Sequence, residues 1–146
     1  MNEITFPQFA VLAPDNWFDV TAEMDEEDSP STLAPEEGLG VLQISLADFP
    51  AQGEPPAIIE VLRTMLKEFA KAHELGSPNN LLREESPRPL LAGNFIWGDD
   101  FLRVWYLTDS GKLAFVTYTC ERGAAFASEL SEVEQIVRSL KFLPTV

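Results

Sequence analysis

The sequence predicts an α+β fold, a largely antiparallel β-sheet flanked by two main helices. Three observations carry that reading. Extended apolar runs follow one another across tight turns, as at residues 98–100 and 109–111. Apolar residues recur at helical spacing in only two segments, 56–75 and 128–140. The resulting order of elements, β-β-β-α-β-β-β-β-α-β, holds no internal repeat, and strands joined by tight turns pair antiparallel.

Taken in order, residues 3–13 form a mostly extended run in which Pro7 marks an edge position or a bulge. Pro14, Asp15 and Asn16 signal a turn, and residues 17–21 read as a short second strand, making an opening hairpin. Residues 23–38 then carry seven acids among Ser29, Pro30, Ser31, Pro35 and Gly38, with no apolar period. This stretch reads as a loop, long for a compact domain, and such loops are functional or mobile. Residues 40–46 follow as a β-branched and aliphatic strand.

Pro55 and Pro56 stand where a helix can begin, and Ile58, Ile59, Leu62, Met65, Leu66 and Phe69 supply its apolar face. The helix is expected from Pro56 to Leu75, with Gly76 as its stop and Lys67, Lys71 and His73 toward the end that the macrodipole makes negative. Residues 81–85, 90–97, 101–108 and 112–120 read as strands. Asp109, Ser110 and Gly111 between two apolar runs are a hairpin signal. In the second helix Leu130, Val133, Ile136, Val137 and Leu140 share one face. Ser131 and Glu134 have capping-box spacing, and Ser128 is the alternative cap. Residues 141–143 close the chain as a short strand.

A chain of 146 residues with 45% hydrophobic content suits one domain, spanning 1–146, with a core of its own. The single cysteine, Cys120, makes no internal disulfide and fits a reducing compartment. The N-terminus has no basic and apolar leader pattern, and no apolar run approaches the roughly 20 residues of a membrane span. A cytoplasmic protein is expected.

The charge is one-sided. Thirteen acids precede the first cationic side chain, Arg63, and eleven acids share the remainder with all ten Lys and Arg. Residues 1–62 thus carry −13 and residues 63–146 carry −1 of the formal −14. Such a field repels nucleic acid and anionic membrane and attracts cationic proteins or metal ions. Its densest part is Glu23, Asp25, Glu26, Glu27, Asp28, Glu36 and Glu37. It lacks the alternating acids, glycine and closing Glu of an EF-hand, so no metal is assigned. The cluster is a docking surface for a basic partner, a solvated loop that keeps the chain soluble, or a weak adventitious cation site.

No catalytic signature accompanies the charge. G-x-G-x-x-G, Walker A, H-E-x-x-H and G-x-S-x-G patterns are absent, and one Cys with one His cannot supply four zinc ligands. His73 is expected to be exposed near a helix end, and Cys120 to be a small buried hydrophobe on a strand. No cofactor and no enzymatic activity are expected. Asp99 and Asp100 read as a hairpin tip in preference to an acid–base pair. Trp97 beside them is a candidate exposed anchor, since Trp is enriched at binding hot spots; the alternative is that Trp17, Trp97 and Trp105 are all packing residues.

The residues 14–17 turn, the strand 40–45, the helix 55–75, the meander through 101–107 and 113–120, and the closing 132–142 segment occur in an order that resembles the PsbP/DcrB-like α/β sandwich family. The resemblance covers almost the whole chain. It implies an antiparallel sheet flanked by helices and a role in binding, with no catalytic residue to carry over. Small bacterial cytoplasmic members include immunity proteins, which neutralise toxins delivered between bacteria, for example by type VI secretion. Others are Eag-type adaptor chaperones, which shield the hydrophobic N-terminal helices of secreted effectors. The acidic 23–38 segment departs from the compact connection expected of an adaptor. It favours immunity against a cationic, nuclease-like toxin, with Glu23, Asp25–Asp28, Glu36, Glu37, Trp97, Asp99 and Asp100 as the partner-binding residues.

Overall fold

The computed structural model describes residues 1–23, 30–38, 40–50, 53–121 and 127–144. Its backbone is a seven-stranded sheet with one face against a helix and the other against a second helix and a small three-stranded sheet. Every pairing between these strands is antiparallel. The expected α+β class holds.

The chain opens on β1 (Asn2–Thr5) and β2 (Phe9–Ala13), which pair with each other. The expected single run 3–13 is therefore itself a hairpin. Phe6 and Phe9 stack at 4.6 Å between ring centroids, and Phe6 N–H donates to Phe9 C=O, which folds the chain back at Pro7. The turn at Pro14–Asn16 then hands the chain to the larger sheet, where β3 (Trp17–Asp19) pairs with β4 (Ser31–Pro35). The second correction lies here: residues 31–35 of the expected loop are a strand. Leu33 is fully buried, and β4 pairs on its other side with β5 (Gly40–Asp48).

Helix α1 (Pro55–Ala72) starts on two prolines at positions where the missing N–H costs nothing. It buries Ile59, Leu62, Leu66 and Ala70, one stripe of a 3.6-residue period. The helix ends before the expected Leu75. Glu74 turns left-handed at φ 55°, and Leu75 N–H returns to Ala70 C=O. Strand β6 (Asn79–Glu84) begins two residues before the expected 81 and carries a register shift between Asn79 and Leu82, where Asn80 is left-handed. Strands β7 (Leu90–Trp97), β8 (Asp100–Asp109) and β9 (Lys112–Glu121) form the meander that was expected. Ser110 and Gly111, both at positive φ, make its second turn, as a type I′ hairpin requires.

The seven strands lie in the order β3-β4-β5-β9-β8-β7-β6. Strand β8, near the middle, is buried from Phe101 to Thr108 because both faces are covered. Leu102, Val104 and Tyr106 face α1 with Phe95 and Leu91. Phe101, Trp105 and Leu107 face the opposite core with Leu42, Ile44, Val116 and Tyr118. That core is closed by β1, β2, β10 (Lys141–Phe142) and α2 (Ala127–Ser139), through Phe9, Val11, Val133, Ile136, Val137 and Leu140. Because α2 already begins at Ala127, Ser131 lies inside the helix and does not cap it.

Three glutamates on α2 point inward. Glu132 accepts from Trp17 Nε1 at 2.7 Å, Glu134 from Trp105 Nε1 at 3.2 Å and Arg103 Nε at 2.6 Å, and Glu129 from the Tyr118 hydroxyl and the Gly40 N–H. Each satisfies a donor carried by a core side chain of the large sheet, which sets the position of α2 on it.

Candidate functional site

The register of the sheet assembles an acidic end that the linear sequence does not display. Asp100 opens β8 opposite Trp97 on β7 and Glu121 on β9. The neighbouring pairing, Phe101 with Cys120 and Cys120 with Gly40, puts the start of β5 at the same end. Strand β4 runs out there too, so Glu36 and Glu37, just past Pro35, lie about three strand spacings, roughly 14 Å, from the β7–β8 tip. Glu36 N–H donates to Asn16 C=O at 2.7 Å, which draws Asp15 to this end as well. All six carboxylates, Asp15, Glu36, Glu37, Asp99, Asp100 and Glu121, are exposed. The N-terminal amine approaches one of them, Asp15, at 3.9 Å.

Glu23 is not part of this group. It closes the short helical turn 21–23 at the opposite end of the β3–β4 pair, where Val20 N–H and the Thr21 hydroxyl hold Thr32. Asp25, Glu26, Glu27 and Asp28 lie outside the described residues. The structure thus separates Glu23 from Glu36 and Glu37, and joins the latter two to Asp99 and Asp100.

Trp97 stands at the tip of the β7–β8 hairpin, whose turn is Gly98-Asp99 with Gly98 at φ 62°. It is 48% exposed, whereas Trp17 and Trp105 are 3% and 0% exposed. Of the three tryptophans it alone presents a surface. Its other half meets the His73 ring edge-on at 5.4 Å, and His73 in turn packs on Phe69 at 4.5 Å. The helix end therefore props the tryptophan at the tip.

Cys120 is 4% exposed, and burial pushes its thiol above the ordinary range. It belongs to the core on the α2 side, while His73 sits at the end of α1 on the other side of the sheet. The two are not placed for a shared reaction. Among the described residues no group of three or more His, Cys, Asp or Glu side chains is arranged to hold a metal ion.

A second feature escaped the sequence reading. A cleft of about 500 Å³ runs along the flank of α1 beside β6, with Leu66, Leu81 and Leu91 in its lining. Arg63, Lys67 and Lys71 border it. These are positions i, i+4 and i+8 of one helix, so they share a face. The signal was present as spacing, but Lys67 and Lys71 read equally well as complements to the helix dipole.

The geometry can be set beside known structures. The chain is similar to the solution structure of the cyanobacterial PsbP protein CyanoP from Synechocystis, with a TM-score of 0.59 over 97% of this chain and 92% of that one, at 12% identity. It is also similar to a crystal structure from Bacteroides thetaiotaomicron, with a TM-score of 0.52 over 93% of this chain and 45% of that one, at 16% identity. The fold is PsbP-like. Neither a protein-family model nor a curated protein sequence matches the chain. No helix among the described residues is long and apolar enough to cross a membrane.

Proposed function

We propose that this chain is a non-enzymatic binding protein whose specific role is immunity: it neutralises a cationic bacterial toxin by covering it. One observation carries the reading. Glu36, Glu37, Asp99 and Asp100, distant in sequence, converge on one end of the sheet beside the half-exposed Trp97. Concentrated charge of one sign raises the rate of encounter with a basic surface by roughly 10–10³-fold. A rigid aromatic within the patch then supplies the desolvated anchor that charge alone does not. The mechanism is occlusion, and no group on this chain needs to react.

The test is affinity capture from a lysate of the source cell at low salt, followed by a salt gradient. A basic, toxin-like protein released as salt rises is the expected result. A secreted effector with apolar N-terminal helices, held through high salt, would replace this reading with the Eag-type adaptor role.

A further inference from the structure

The α1–β6 cleft plays no part in the acidic docking surface, and its chemistry is opposite. We propose that it binds an aliphatic carboxylate, with the hydrocarbon chain on the apolar floor and the head group against Arg63 and Lys67.

The volume, about 500 Å³, falls within the roughly 300–1,000 Å³ of small-molecule sites. The floor is apolar: Leu66 and Leu91 are 3% and 2% exposed within the core, and Leu81 stands at the lip at 55% exposure. Its shape depends on Gly93 of β7. A Cβ at that position would lie 2.9 Å from Pro78 Cβ, 3.3 Å from Leu81 Cδ2 and 3.6 Å from Leu66 Cδ2. The missing side chain lets the 78–81 segment settle against β7 and form a wall.

The rim selects the head group. Three of the ten cationic side chains in a chain of net charge −14 lie along this one flank. Among the described residues Lys67 and Lys71 make no ion pair. Arg63 Nε is 3.6 Å from Glu60 Oε1, beyond hydrogen-bond reach. That nitrogen is shielded from solvent with no hydrogen-bond acceptor. An atom that water cannot reach is closed to a ligand oxygen as well, so a head group meets Arg63 through the rest of its side chain, which is 39% exposed. Glu74 lines the Lys71 end of the cleft and repels an anion there, while Glu60 pairs with Arg63 from outside the lining. Lys67 is thus the least compensated cation and holds the head group, with Arg63 beside it.

The experiment is isothermal titration of the full chain with dodecanoate below its micelle concentration. Dodecyltrimethylammonium, of equal chain length and opposite charge, is the control. Lys67→Glu and Leu81→Asp are the variants, both at exposed positions where folding tolerates them, as thermal melts verify. Expected is saturable one-to-one binding of dodecanoate, weakened about tenfold or more by each variant, with no saturable binding of the cationic control. Absent saturation, equal affinity for the two amphiphiles, or dodecanoate binding unchanged by either variant overturns the proposal.

Discussion

Arg103 on β8 and Glu134 on α2 are joined across the core at 2.6 Å, with 7% and 25% of their side chains exposed. Arg103 Nη1 also donates to Asn94 Oδ1 at 2.7 Å, its guanidinium lies 5.1 Å from the Trp105 ring centroid, and the same glutamate accepts from Trp105 Nε1. One carboxylate therefore fixes an arginine, a tryptophan and the helix that carries it.

Removing Glu134 strands that charge. Glu134→Ala should destabilise the fold by about 3 kcal/mol or more, because a buried cation and an indole N–H lose their acceptor together. The double change Arg103→Met with Glu134→Leu should recover part of the loss, since it removes the unpaired buried charge while the Trp105 indole N–H still lacks its acceptor. Urea denaturation of the three proteins decides it; equal losses in the single and double variants would contradict the account.

Leu33 distinguishes strand from loop. As a fully buried residue of β4, its truncation to Ala should cost about 2–5 kcal/mol. In a solvated acidic loop the same change would stay within about 0.5 kcal/mol, and equilibrium unfolding separates the two.

The two tyrosines, Tyr106 and Tyr118, make stability fall in alkali. Burial, then the charge of Glu68, pushes Tyr106 from 10.0 up to about 12. Burial and the hydrogen bond to Glu129 push Tyr118 higher still. A phenol whose folded value is raised contributes stability that is complete below the unfolded value of 10.0 and is lost as pH rises toward the folded one. Phenolate absorbance should therefore lag past pH 10 and rise together with the loss of near-ultraviolet circular dichroism. A full tyrosine titrating near pH 10 with structure intact would contradict this.

Much of the fold was legible because its signals are local. The stripe of Ile59, Leu62 and Leu66 marks α1, and the turns at Gly98 and Gly111 mark the meander. Strand β4 was not legible: Leu33 is its one large apolar residue, between Pro30 and Pro35, and its identity comes from pairing on both sides. The opening hairpin was misplaced because Pro14-Asp15-Asn16 is a stronger turn signal than Phe6-Pro7-Gln8, which is closed by aromatic stacking. The candidate site was half legible. Trp97, Asp99 and Asp100 are neighbours in sequence, but their proximity to Glu36 and Glu37 exists only through the order β8-β9-β5-β4. The inward role of the α2 glutamates was not legible, since their donors Trp17, Trp105 and Tyr118 come from three separate strands.

The central claim is that the acidic end of the sheet draws in a basic partner. The most direct measurement is the association rate of the captured basic protein with the native chain and with a variant carrying Glu36→Gln, Glu37→Gln, Asp99→Asn and Asp100→Asn, across a range of ionic strength. The account predicts a rate about tenfold or more slower for the variant at low salt and a flatter salt dependence, with thermal stability unchanged. Equal rates and equal salt slopes for the two proteins would contradict it.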